Sequence, residues 1–271
     1  MSRVIGRPSP RRDTIALAVA IAVLGAAFVW LPAALVGGAT ASRAALHRST
    51  ADAVATYWHS GRAPWTGDLS DLVGRWRDYH LAKAVIAVVA VVVLARAAAV
   101  GRRRASTAGR PRWHALGPAA AGLGALVAVL LLVANVQGAF APFASLLSLL
   151  PTTTADRSFA PTLGEIREAL ARRAVDGHGG PAPLERMIDA FVGYHVVLAV
   201  LAGALALVAA GSVARALVRR RRTVEPTATA SGPSRLALGT TGLLCVAAGV
   251  LCLANVSTAL RPVPALRDAF G

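Results

Sequence analysis

The sequence predicts an all-α membrane protein, a polytopic helical bundle of five transmembrane helices with two parallel tandem repeats and helical outer loops. Three observations carry that prediction. Hydrophobic residues make up 55% of the 271 residues and charged residues 15%, with a mean hydropathy of +0.57. A water-soluble domain of this length carries more charge. Five stretches are long and apolar enough to cross a bilayer. Arginines crowd every second connection between them, which is how a membrane protein fixes its topology.

The elements follow in order. Residues 1–13 form a basic cytoplasmic N-terminus with Arg3, Arg7, Arg11 and Arg12. The first span covers 14–36 and leads into an outer loop, 37–80. The second span, 81–100, ends at an arginine-rich connection, 101–114, that holds Arg102, Arg103 and Arg104. The third span, 115–139, opens onto a second outer loop, 140–190. The fourth span, 191–214, runs into the connection 215–235 with Arg219, Arg220, Arg221 and Arg222. The fifth span, 236–258, ends in an outer tail, 259–271. Inside hydrocarbon each span must be helical, because lipid offers no partner to backbone N–H and C=O groups.

Charge sets the orientation. The net charge is +16, and the basic residues sit mainly between apolar runs. Asp52, Asp68, Asp71, Asp78, Asp156, Glu165, Glu168, Asp176, Glu185 and Asp189 put most of the 13 acidic residues into the two other loops. The positive-inside rule then places the N-terminus in the cytoplasm and the C-terminus outside a plasma (inner) membrane. The single lysine and the excess of Ala, Arg, Val and Gly fit a GC-rich bacterial genome. The arginine clusters are topology anchors that contact anionic lipid headgroups. They lack the interleaved aromatics of a nucleic-acid surface, so no nucleic-acid partner is expected. Ala39-Thr40-Ala41 after the first run resembles a signal-peptidase site, but the run is long for a signal peptide and is expected to remain as a span.

The chain repeats itself. "LSDLVGRWRDYH" (69–80) lies over "LERMIDAFVGYH" (184–195) at a constant offset of 115 residues. Leu69, Leu72, Val73 and Trp76 fall over Leu184, Met187, Ile188 and Phe191, the apolar stripe of an amphipathic helix. Tyr79-His80 falls over Tyr194-His195. Further on, "LLVANVQGAFAP" (131–142) matches "LCLANVSTALRP" (251–262), with Asn135 over Asn255 and Pro142 over Pro262. Each unit is an amphipathic outer helix, an inward span, a basic connection and an outward span. Both run the same way, which implies an axis along the membrane normal. In the loops, "TLGE" (162–165) has the form of a capping box. Thr66 or Asp68 is an N-cap for a helix beginning near "TGDLSDL", and "DGHGGPAP" (176–183) is a turn between two outer helices.

The ligand or partner candidates are His80, His195, Asn135, Asn255, Tyr79 and Tyr194, polar groups repeated at one depth near the outer face. Ionisable or amide groups at such depth are functional candidates, although interfacial tyrosine and interhelical asparagine packing is the favoured account of them. Lys83, one turn further in, is expected to snorkel outward. Gly124, with Ala120, is a helix-packing position. Cys245 and Cys252 are about 10 Å apart along a helix, too far for a disulfide, and are expected to pack. His47, His59 and His178 are not spaced as a zinc site. There is no nucleophile–base set, phosphate-binding loop or buried acid, so no catalytic residue, metal or cofactor is assigned.

The expected function is that of a non-enzymatic multi-pass membrane protein whose outer helical loops bind a partner protein or an envelope component. The alternative is a small transporter or channel, homodimeric because five spans are few, with a polar outer vestibule. A third reading is a redox subunit holding haem between His80 and His195.

Overall fold

The structure is a computed structural model that describes residues 10–36, 43–107, 116–150, 158–222 and 235–270, and every regular element among them is helical. In chain order these are α1 (Pro10–Leu35), α2 (Arg43–His59), α3 (Gly67–Thr107), α4 (Leu116–Phe140), α5 (Pro142–Leu146) with a 3₁₀ turn at Leu147–Leu149, α6 (Ala160–Asp176), α7 (Ala182–Arg222), α8 (Arg235–Leu260) and α9 (Pro262–Phe270). Five of them contain segments that are long and apolar enough to cross a membrane: Ile15–Leu35, Gly67–Arg104, Leu116–Phe140, Ala182–Arg222 and Ala237–Leu260. No more than 17% of the most apolar window of any of them is buried within the protein. Apolar surface of that extent is stable against lipid, not against water. The residues around Ala39-Thr40-Ala41 lie outside the described residues, as do Arg3 and Arg7.

Helices α3 and α7 are each 41 residues long, roughly 60 Å at 1.5 Å per residue and twice what a bilayer core requires. The amphipathic stretch before each Tyr-His pair and the apolar span after it therefore form one unbroken helix. Nothing at the junction breaks it: Gly74 and Gly193 cost little in a long helix and no proline intervenes. The far ends carry Arg104 and Arg219, Arg220, Arg221 and Arg222 in the last turns, where cations also suit the negative end of the helix dipole. Each long helix is followed by a helix of 25 or 26 residues and then by a short helix opening on proline, Pro142 or Pro262. Proline suits a first helical turn because its missing N–H has no partner there anyway.

The chain divides into two compact units, residues 1–40 with 78–136, and residues 41–77 with 137–271. In the first, the body of α3 and α4 meet through small residues. Ala87, Ala98 and Ala128 are buried. Gly124 lies against Leu94, whose Cδ2 would sit 3.4 Å from an added Cβ. Gly101 is tighter, with the Pro118 ring 2.6 Å from where a Cβ would stand.

In the second unit α7 packs along α8. Cys245 donates its thiol to the Ala206 carbonyl at 3.4 Å, and Cys252 packs against Gly203; both thiols are free. The rest of this unit is a helical head, made from α2, the first turns of α3 and α7, α5, α6 and α9. Its core contains Tyr57, Leu69, Phe159, Ile166, Leu170, Leu184, Met187 and Leu266, all no more than 2% exposed. The stripes beginning at Leu69 and Leu184 are thus the faces that turn into the core. Polar ties cross between its segments. Trp58 donates to Glu165 at 2.8 Å, Arg167 to the Phe270 carbonyl at 2.9 Å, and Arg173 to Glu185 at 2.7 Å. Among the described residues of the head only one large apolar side chain, Val175, is strongly exposed.

Two local expectations meet the structure differently. The loop at 176–183 is real: α6 ends at Asp176, Gly177 takes the left-handed conformation with φ 74°, and α7 starts at Ala182. The capping box at Thr162 is not. Helix α6 begins three residues earlier, at Ala160 with Phe159 at the N-cap position and no side-chain cap, and Thr162 is buried inside the first turn. Pro161 sits in that turn, where its fixed φ favours helix and draws the start upstream.

Gly101→Ala drives a methyl group into the rigid Pro118 ring and lowers stability by about 1–3 kcal/mol, whereas Gly122→Ala, with open space around it, is neutral or mildly stabilising. Thermal unfolding in mild detergent compares them. Burial pushes the Tyr57 phenol up to about 12, the nearby Arg186 opposing it; its hydroxyl donates to the Ala63 carbonyl at 2.8 Å. The neutral phenol is thus favoured by folding. Its contribution is complete below pH of about 10, the ordinary tyrosine value, and falls away as pH rises toward the folded value. A pH series of unfolding in detergent should display that decline in the native protein and lose it in Tyr57→Phe.

Candidate functional site

The repeated polar residues assemble into two short hydrogen-bonded chains, one in each unit. In the first, His80 Nδ1 lies 3.0 Å from Asn135 Oδ1, and Asn135 Nδ2 donates to the Leu131 carbonyl at 2.7 Å. In the second, His195 Nδ1 lies 2.7 Å from Asn255 Oδ1, and Asn255 Nδ2 donates to the Leu251 carbonyl at 2.8 Å. Both asparagines are buried, 5% and 6% exposed. Neither faces lipid, where an amide would lack partners at a cost of a few kcal/mol.

The chains fix a tautomer. Each Asn nitrogen is held by the carbonyl four residues back, so its oxygen must face the imidazole; the flipped amide would set oxygen against oxygen. An amide oxygen only accepts, so His Nδ1 carries the proton and donates. In the neutral ring Nε2 then holds the lone pair. One Asn thereby satisfies its own helix and orients a histidine on the other helix of the hairpin.

The tyrosines lie edge-on to the rings. Tyr79 meets His80 with centroids 5.4 Å apart, and Tyr194 meets His195 at 5.2 Å. Phe191, one turn before His195, stands edge-on at 4.5 Å. Lys83 reaches back one turn, so that its ammonium rests 4.7 Å from the Tyr79 ring and 4.7 Å from that of Phe28. That is the snorkelling direction, with cation–π contacts in place of bare solvent. The arginines expected to anchor the topology, Arg102, Arg103, Arg104, Arg219, Arg220, Arg221 and Arg222, are all exposed at the opposite ends of α3 and α7.

The two histidines differ in surroundings. His80 Nε2 is buried. His195 lines a cavity of about 540 Å³ together with Phe191, Tyr194, Thr258 and Ser148. Other histidines are engaged elsewhere: His47 with the Leu149 carbonyl at 2.6 Å, and His59 with the Ala55 carbonyl at 2.8 Å and Glu165 at 3.4 Å. Among the described residues no group of three His, Cys, Asp or Glu side chains could hold a metal ion.

Some participants lie outside the sequence candidates. Phe28 and Phe191 are ordinary apolar residues within apolar stretches, and only their packing gives them a role. Gln137 is buried with no hydrogen bond to its amide nitrogen among the described residues; a polar residue two positions after Asn135 was the available signal. Comparison with known proteins finds no matching family model, no similar curated protein and no similar solved structure.

If each chain acts within its own hairpin, stability effects will couple within pairs only. A double-mutant cycle with His80→Leu and Asn135→Leu should give a coupling energy of about 1 kcal/mol, and so should His195→Leu with Asn255→Leu. Combining His80→Leu with Asn255→Leu should be additive. Unfolding in detergent or lipid nanodiscs measures all three, and strong coupling across the pairs would contradict a hairpin-local role.

Proposed function

We propose that the protein is a non-enzymatic multi-pass membrane protein, two tandem parallel hairpins preceded by an extra span, with its N-terminus in the cytoplasm and a helical head outside that binds a partner protein or an envelope component. The observation that carries this reading is the composition of the head core. Tyr57 of α2, Ile166 of α6 and Leu266 of α9 come from three segments separated by spans, yet all pack in one cluster. Five crossings put those three segments on the same membrane face whichever way the chain is inserted. Arginines mark the other face, and the positive-inside rule makes that face cytoplasmic.

The surface of the head suits water. Among its described residues Val175 is the one strongly exposed large apolar side chain, so a partner would be held by charged and hydrogen-bonding contacts more than by a large apolar patch. The tandem relation rests on equal lengths of α3 and α7, on Pro142 and Pro262, and on two His–Asn chains of the same connectivity. The vestibule reading is less favoured, because each Asn uses both its amide nitrogen and its oxygen within its own hairpin.

A reporter fused after Gly271 should be active only outside the cytoplasm. Photocrosslinking residues placed in living cells at exposed head positions such as Val175 and Glu168 should give discrete protein or envelope adducts. The lipid-facing control Leu207 should not. Cytoplasmic reporter activity overturns the orientation, and an absence of adducts across the head overturns the binding role.

A further inference from the structure

The cavity beside His195 has a lining with a definite hydrogen-bonding character. Thr258 donates its hydroxyl proton to the Ala254 carbonyl at 3.1 Å, and Ser148 donates its own to the Ser145 carbonyl at 2.9 Å. His195 donates from Nδ1 to Asn255 at 2.7 Å. Each of these groups has given away its proton inside the protein. What remains at each is a lone pair: Nε2 of the neutral imidazole, Oγ1 of Thr258 and Oγ of Ser148. No hydrogen bond to His195 Nε2 is seen among the described residues. Beside the Tyr194 phenol, which can donate or accept, the cavity therefore offers acceptors, and His195 Nε2 asks for a donor.

Charge and position narrow the occupant. No Arg, Lys, Asp or Glu is among the residues lining the cavity, so an ion placed there would lack a counter-charge. The apolar remainder includes Phe191, and the volume is about 540 Å³, within the usual size of a small-molecule site. Thr258 lies in the last turn of α8 and His195 near the head end of the span in α7, so the cavity opens at headgroup depth. We propose that it binds an uncharged, hydroxyl-bearing amphiphile, a neutral glycerolipid whose free hydroxyl donates to His195 Nε2. His195 is the ligand-facing histidine and His80, with its Nε2 buried, is the structural one. The proposal is independent of what the head binds.

The test uses the full chain in detergent with a short-chain diacylglycerol as probe. The triacylglycerol with the same tails lacks the hydroxyl, and phosphatidic acid replaces it by a charge. Native mass spectrometry should give one saturable diacylglycerol site that neither analogue fills. Nitrogen NMR of labelled histidine should move the His195 Nε2 resonance and leave that of His80 in place. His195→Asn keeps a donor near the Nδ1 position but removes Nε2, and should weaken binding roughly tenfold, as for the loss of one hydrogen bond. Ala265→Leu fills the cavity without touching the His–Asn chain and should have at least that effect, which covers the case in which His195→Asn fails to fold. His80→Asn should leave binding unchanged. Equal binding of the triacylglycerol, tighter binding of phosphatidic acid, or full affinity in Ala265→Leu would each overturn the proposal.

Discussion

A polar side chain placed among lipid tails has to be satisfied by the protein that carries it. That constraint organises the two hairpins. Asn135 and Asn255 each make two hydrogen bonds through the amide, one N–H to the carbonyl four residues back and the oxygen to an imidazole on the other helix. The histidine in turn is held in one tautomer. Loss of the Asn would leave the imidazole N–H to find another acceptor, and loss of the His would leave a buried amide oxygen bare. An interhelical bond of this kind contributes modestly to stability, about 1 kcal/mol, but it fixes how far each helix is rotated and slid against the other. Alanine and glycine at the remaining contacts, such as Ala87, Ala128 and Gly124, permit the approach without selecting a register.

The length of α3 and α7 carries that register out of the membrane. Because span and head segment are one helix in each case, the rotation that presents His195 to Asn255 also presents Leu184, Met187 and Ile188 to the head core. A helix has only one phase. The apolar stripe of the head segment and the polar position in the span must therefore be spaced consistently, and seven or eleven residues from Ile188 or Leu184 to His195 keep them on nearby faces. Helix α9 completes the same core through Leu266 and Phe270, so the chain's last helix is anchored to the first turns of α7 and to α6.

Much of this was legible in the sequence, and the exceptions have physical reasons. The spans were legible because hydrocarbon allows nothing but long apolar helices. The two stripes were legible because amphipathic period follows from helix geometry. The common depth of each histidine and asparagine was legible from their distance to the span ends, but their contact was not, since it depends on helix rotation and on packing between residues such as Gly124 and Leu94. The start of α6 was misplaced because a Thr-x-x-Glu pattern outweighed Pro161, which tolerates the first turn better than it tolerates any later one. The head core was not legible at all as a unit. Its members come from segments separated by whole spans, and no local pattern states which stripes will meet.

The difference between the two histidines is a consequence of what surrounds matching hairpins, not of the hairpins themselves. Within each, the Nδ1 side of the ring is fixed by the same Asn geometry, so the ring's contribution to packing is complete before Nε2 is considered. Nε2 is then the one polar atom whose environment can change without disturbing the helix pair. In the first unit that atom is buried. In the second, the ring borders a cavity walled by the short turn after α5 and by α9. A chain carrying two such hairpins can keep one as scaffold while the other takes on a ligand, because the interaction that holds the helices and the atom that could bind are on opposite sides of the same imidazole.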